Sequence, residues 1–161
     1  MKKLLFILFI ITLMVSCSSS EKSVKEKKTV ELDEIELQEV RLEVKSLNSW
    51  VNLMPGADSK FHISGELIVE ENFRYNLVFM NIERIKIIQS GLVIYSITPL
   101  VQVDEDLSDD NSKYIRFSTV RGLSRDPRLD IEGYLQFEID FYDGNESYTY
   151  IVENVKINKV Y

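Results

Sequence analysis

The stretch Asp130-Ile131-Glu132-Gly133-Tyr134-Leu135-Gln136-Phe137-Glu138-Ile139-Asp140-Phe141 decides the fold. Ile131, Gly133, Leu135, Phe137, Ile139 and Phe141 alternate with Asp130, Glu132, Tyr134, Gln136, Glu138 and Asp140. A period of two sends successive side chains to opposite faces of an extended chain, so the pattern is that of a strand with one face buried. Tyr148, Tyr150 and Val152 resume the alternation after Asp143-Gly144-Asn145-Glu146. Asp and Gly tolerate the positive φ of a tight turn, which predicts a hairpin of two antiparallel strands.

Upstream the same signal recurs. Phe61, Ile63, Gly65, Leu67 and Val69 alternate, and Tyr75, Leu77 and Phe79 follow. Ile85 and Ile87 lead into a Gln89-Ser90-Gly91 turn, Leu92 to Val103 is an apolar β-branched run, and Lys113 to Val120 supplies a short strand before Arg121-Gly122. Val30 to Leu47 admits two readings. Ile35, Leu37, Val40, Leu42 and Val44 alternate with one slip at Gln38-Glu39, as a bulged strand would, while Val30, Leu37, Val40, Val44 and Leu47 keep a helical spacing. β-Branching and the surrounding pattern favour the strand. The expected fold is all-β, an antiparallel sandwich of seven or eight strands over residues 30–161. Such a domain resembles the immunoglobulin-type sandwich, without the cysteine pair and core tryptophan of true immunoglobulin domains. That resemblance implies an architecture and no activity. Ile63-Ser64-Gly65-Glu66-Leu67 and Ile131-Glu132-Gly133-Tyr134-Leu135 share Ile, Gly and Leu at equal offsets, and each glycine is expected to mark a bulge or the close approach of a neighbouring strand.

The N-terminus carries a different pattern. Lys2 and Lys3, an apolar run from Leu4 to Val15 and small polar residues from Ser16 follow the order of a signal peptide over residues 1–16. That run is well short of the roughly 20 residues a membrane-spanning helix needs. Leu13-Met14-Val15-Ser16-Cys17 resembles the lipobox of bacterial lipoproteins, with Met14 where leucine is usual. The resemblance implies cleavage before Cys17, a thioether to diacylglycerol on its sulfur and acylation of its new α-amine. This covalent lipid is the only non-protein group expected, and the membrane the first expected partner. Ser18 in place of an aspartate implies, as in diderm lipoproteins, transfer to the outer membrane. Residues 17–29, rich in Ser, Lys and Glu, lack the apolar surface to fold alone and read as a lipidated tether. Cys17 is the sole cysteine, so the domain beyond it has no internal disulfide.

Charge and motifs narrow the function. Asp and Glu number 26 against 19 Lys and Arg, a formal net charge of −7 that becomes more negative without Lys2 and Lys3. An acidic domain of this kind is a poor partner for nucleic acid. No G-x-S-x-G, H-E-x-x-H, C-x-x-C or P-loop pattern occurs, and the one histidine, His62, has no catalytic neighbours in sequence. No catalytic residue is expected. The run Asp104-Glu105-Asp106-Leu107-Ser108-Asp109-Asp110-Asn111 reads as a loop between strands, and Asp104, Asp106, Asp109 and Asp110 are weak candidate Ca²⁺ ligands. It lacks the glycine and terminal glutamate of an EF-hand loop, and solvated carboxylates are the better reading. Asn48 to Lys60 reads as a loop holding Trp50, either a stacking platform for a partner or, the better reading, an apolar plug in the core. Ser49-Trp50-Val51-Asn52-Leu53-Met54-Pro55-Gly56, with Phe61 to Leu67 after it, resembles small uncharacterised bacterial lipoproteins, which implies no function. Arg121, Arg125 and Arg128 surround Asp126-Pro127 and could hold an anion or the domain's own carboxylates.

These observations set two expectations against each other. One is a non-enzymatic, lipid-anchored module that binds an envelope protein or glycan through loops at one end of the sandwich. The other is a small hydrolase that uses paired carboxylates on envelope glycans. The absence of a catalytic signature favours the module.

Overall fold

The computed structural model describes residues 40–56 and 58–161. The expected signal peptide, the tether and the segment 30–39 lie outside the described residues. Nine strands run through the rest: β1 Leu42–Asn52, β2 Lys60–Glu70, β3 Asn81–Gln89, β4 Leu92–Ile97, β5 Leu100–Asp109, β6 Ser112–Ser118, β7 Leu123–Ser124, β8 Tyr134–Tyr142 and β9 Ser147–Val160. No helix occurs among the described residues, and the fold is all-β as the periodicity requires.

The strands follow one hydrogen-bonded path, β4-β3-β8-β9-β1-β2-β6-β5, with β7 beside β2. The half β1-β2-β6-β5 has the A-B-E-D order of an immunoglobulin sheet, and the half β4-β3-β8-β9 has the C′-C-F-G order. The path curls so that both halves bury their inner faces in one core. Phe61, Ile63, Leu67, Ile115 and Phe117 come from the first half, and Ile85, Ile87, Leu135, Phe137, Ile139 and Phe141 from the second. The ring of Phe61 stacks on that of Tyr95 across the two halves, with centroids 5.2 Å apart.

The sheet is mixed rather than purely antiparallel. β9 pairs antiparallel with β8 from Ser147 to Lys156, then parallel with β1 from Ile157 to Val160. The strand is long enough to serve both partners, and a bulge inside its β8 ladder, where Asn154 takes a φ of 60°, bends it shortly before the change. The strand count exceeds the expected seven or eight although Tyr75 to Phe79 is not a strand, because Leu123–Ser124 adds the short β7 and one expected strand is divided in two. Thr98-Pro99 divides the run from Leu92 to Val103, because proline cannot donate to a ladder, so β4 pairs with β3 and β5 with β6.

Five local expectations are corrected. Asn48–Asn52 is the end of β1 and not the start of a loop. A bulge between Val44 and Ser46 shifts the parity of β1, so Ser49 and Val51 turn inward and Trp50 turns outward. Trp50 is therefore half-buried on the outer face and does not plug the core. Ile131 to Gly133 precede β8 as a turn, held by Gln89, whose side chain donates to Asp130 O at 2.8 Å and accepts from Asp130 N at 2.8 Å. Tyr75 to Phe79 also form turns, because the Asn72 and Asn76 side chains accept from the amides of Arg74 and Val78, two residues on. The acidic run lies mostly inside β5, an edge strand, and not in a loop. Five residue steps of β5 span two of β6 there, and Ser108 Oγ fills the gap by donating to Asp104 O and accepting from Tyr114 N. A bulged edge that carries exposed Glu105 and Asp106 resists pairing with another chain.

The predicted hairpins stand. Ser90 (φ 52°) and Gly91 (φ 77°) make the two-residue turn of β3-β4, and Gly144 (φ 96°) turns the β8-β9 connection. Gly65 meets its expected close approach: a Cβ there would lie 2.4 Å from the Phe117 ring. Gly65→Ala should therefore destabilise the domain by about 1–3 kcal/mol through overpacking. Urea unfolding checks it: Phe117→Leu, which removes the obstructing ring, should shrink the cost of the alanine, and an equal cost in both backgrounds would refute the close-approach account.

Candidate functional site

The strand directions gather three connections at one end of the sandwich: residues 71–80 between β2 and β3, Asp110-Asn111 between β5 and β6, and residues 143–146 between β8 and β9. An open cavity of about 690 Å³ lies among them. Its apolar lining includes Phe73, Val78 and Val103, and its carboxylates are Glu71, Asp109, Asp110 and Asp143.

Hydrogen bonds fix the longest of these connections on several sides. Glu71 N donates to Asn111 O at 2.7 Å, which ties residues 71–80 to the β5-β6 turn. Asp143 ties them to the β8-β9 connection. Its Oδ1 accepts from the amides of Asn145 and Glu146, both at 2.8 Å, and its Oδ2 accepts from Asn76 N at 3.1 Å and Tyr148 Oη at 3.4 Å. The Glu146 and Asn145 amides lead in holding this carboxyl below the usual carboxylate range. Tyr148 Oη also donates to Arg74 O at 2.9 Å, and its ring meets Tyr75 edge-on at 5.6 Å. Lys113 of β6 donates through Nζ to Val78 O at 2.9 Å and Met80 O at 2.7 Å, and burial lowers its pKa.

On this fixed frame Phe73 is 94 % exposed, Val78 77 % and Phe79 65 %. Single exposed apolar side chains are ordinary, but three on one short connection, with Phe73 and Val78 lining the cavity, form a surface suited to contact. The sequence reading missed them by extending a strand through Tyr75, Leu77 and Phe79. Asn72 and Asn76, four residues apart, are the turn signal that argued otherwise.

The residues singled out from sequence fall elsewhere for the most part. Asp104 of β5 pairs with Arg116 Nη2 at 3.0 Å. Asp109 accepts from Asn111 N at 2.9 Å and Ser112 Oγ at 2.8 Å, and the Ser112 hydroxyl leads in lowering its pKa. Asp106 and Asp110 are exposed, and only Asp109 and Asp110 reach the cavity. Among the described residues no group of three or more His, Cys, Asp or Glu side chains is placed to hold a metal ion. Arg121, Arg125 and Arg128 lie on the connection between β6 and β8, at the end opposite the cavity. Arg128 forms two hydrogen bonds to Asp126, Nε to Oδ1 at 3.0 Å and Nη2 to Oδ2 at 2.8 Å, and this pair lowers the Asp126 carboxyl to about 2. Arg121 and Arg125 are exposed and form no ion pair among the described residues. Tyr95 Oη pins this connection, donating to Ser124 O at 3.1 Å and accepting from Asp126 N at 2.7 Å.

Trp50 stacks face to face on His62, its cross-strand partner, with centroids 5.1 Å apart and planes 5° from parallel. Gly122 closes over the histidine: a Cβ there would lie 2.5 Å from His62 Cε1. The pair is thus a packed cross-strand unit on the outer face. Burial first, and the charge on Lys60 second, lower the His62 pKa from 6.5.

Comparison of the chain with protein-family models, with curated proteins and with solved structures finds no match in any of the three.

The His62 environment predicts a pH dependence of known sign. With the folded pKa below 6.5, the unfolded chain binds more protons as pH falls under that value, so stability is full above about pH 6.5 and declines below it. Urea midpoints should drop between pH 7.5 and pH 5 with a component that His62→Phe removes. Fluorescence of Trp50, the single tryptophan, should change over the same range, and a flat fluorescence titration would contradict the stacked-pair account.

Proposed function

We propose that this chain is a lipid-anchored module of the bacterial cell envelope that binds a partner through the loop end formed by residues 71–80, 110–111 and 143–146. One observation carries the reading: an open cavity of about 690 Å³ bordered by a Phe73 ring that is 94 % exposed, on connections fixed by hydrogen bonds from three strand pairs. A surface set in place before contact loses little conformational entropy on binding. Immunoglobulin-type sandwiches carry recognition loops at such an end, which supports the reading by analogy of architecture alone.

The anchor half of the proposal rests on sequence. Lys2-Lys3, the run Leu4 to Val15 and Val15-Ser16-Cys17 support export, acylation of Cys17 and residence at the outer membrane. The expected partner is an envelope protein or a glycan.

Two experiments test the halves separately. A photo-crosslinking amino acid at position 73, in intact envelopes, should capture adducts that the same group at Val120, exposed at the opposite end, does not. Equal capture from both, or none from position 73, would remove the loop-end reading. Radiolabelled fatty acid should enter the wild type and not Cys17→Ser, which should also leave the membrane fraction. Label retained in the serine variant would remove the anchor.

A further inference from the structure

We infer that a second site, at the end of the sandwich opposite the loop end, binds one uncharged pyranose ring of a glycan, with Tyr134 against a face of the sugar and Gln136, Glu153 and Asn154 at its hydroxyl rim. The site goes beyond the loop-end reading and stands apart from it. An open cavity of about 260 Å³ lies there, lined by these four residues and by the Ser90-Gly91 turn. Tyr134 and Gln136 alternate with the buried Leu135 and Phe137, which puts the cavity on the outer face of the sheet. The bulge in β9 builds it. Leu135 pairs with Val155 and Phe137 with Val152, so Glu153 and Asn154 both stand opposite Gln136, where a regular ladder would place one residue. The turn on the other side adds no bulk, and a Cβ on Gly91 would meet nothing within 4 Å.

The groups around this cavity are not spent on the fold. Among the described residues the side chains of Tyr134, Gln136, Glu153 and Asn154 form no hydrogen bond or ion pair, whereas Asn72, Asn76 and Asn81 each accept from a nearby main-chain amide. Tyr134 is 61 % exposed, and no described cation covers its ring, in contrast to Phe73 and Tyr114, which carry Arg74 and Arg116. A pyranose presents C–H groups on its faces and hydroxyls around its rim. The negative face of an aromatic ring attracts the first, while amides both donate to and accept from the second and a carboxylate accepts from two hydroxyls at once. The volume, below the roughly 300–1,000 Å³ of sites for drug-sized ligands, suits a single ring of a longer glycan. Unpaired Glu153 and a formal charge of −7 turn away anionic sugars. The chain enters β1 at the loop end, where Arg41 bonds to Glu70 and Tyr75, so this cavity lies at the end away from that entry.

Methyl β-glucoside and methyl β-N-acetylglucosaminide test the inference by NMR titration of the isotope-labelled full chain in zwitterionic detergent micelles, with glucuronate as the anionic probe. At least one neutral glycoside should shift the main-chain amide signals of Gly91, Gln136 and Asn154 with a Kd of about 1–10 mM, as suits one ring, and glucuronate should not. Tyr134→Ala and Asn154→Gly should each weaken that binding about threefold or more. Glycine at position 154 keeps the left-handed backbone and removes the amide alone, so this variant tests recognition in an intact fold. Tyr161→Ala, which removes another exposed ring outside the cavity, should change nothing. No shift with either glycoside, equal binding of glucuronate, or wild-type binding by Tyr134→Ala would overturn the inference, and so would equal weakening by Tyr161→Ala.

Discussion

β9 belongs to both halves of the sandwich, and the rest of the structure depends on that. Over Ser147 to Lys156 it completes the β4-β3-β8 half, and over Ile157 to Val160 it joins β1 and with it the other half. Sandwich halves are commonly fastened across the core by a disulfide between facing strands. Here Cys17 is the only cysteine, so the halves are held by buried rings and aliphatic side chains and by main-chain bonds at the β9-β1 seam. Ser49 reinforces the seam: it is wholly buried, and its hydroxyl donates to Lys156 O at 2.9 Å, where β9 changes partners. A buried hydroxyl without a partner would be costly, so this one bond helps fix where the change occurs.

The seam closes one side of the sandwich and leaves β4 and β5 at the other. β4 ends at Ile97 while β3 begins at Asn81, so the part of β3 nearest the loop end has no neighbour on that side, and the connection 71–80 passes there toward β3. The cavity lies among that connection, the β5-β6 turn and the β8-β9 connection. Its rigidity comes from Asp143, a buried carboxylate that takes four hydrogen bonds and so fastens two connections with one side chain. In sequence Asp143 looked like a turn residue and nothing more.

Fold class was legible because alternation is written in the strands that build the core. Phe61 to Val69 and Leu135 to Phe141 have the same parity from end to end, and their odd-numbered apolar side chains are buried. The parallel β9-β1 pairing was not legible, since period-two patterning records which face is buried and not which strand lies alongside. Trp50 was misplaced for a related reason: one bulged residue near Lys45 reverses parity, and Asn48, Ser49 and Asn52 look like loop residues until Ser49 is seen as a buried donor. Of the candidate site, the carboxylates Asp109 and Asp110 were noticed, but as a loop apart. Phe73 was passed over because an isolated phenylalanine carries no sign of exposure, which depends on turns made by the side chains of Asn72 and Asn76. The arginines were noticed for their charge, and charge alone does not say at which end of a sandwich a connection lies.

The entry of the chain into the domain has a mechanical consequence. Arg41 immediately precedes β1 and is bonded at the cavity end: its carbonyl accepts from Glu70 N at 2.9 Å, and its amide donates to Tyr75 Oη at 3.3 Å. Tyr75 Oη in turn donates to Glu70 O, and Tyr75 belongs to the connection that carries Phe73. A pull on the chain ahead of residue 40 is thus delivered first to Tyr75 and Glu70, at the same end as the cavity. Tension between that point and anything held by the loops would cross only this corner of the domain, loading β1 from its Leu42 end one rung at a time. The parallel β9-β1 seam, at the far end of the same strand, would bear load last.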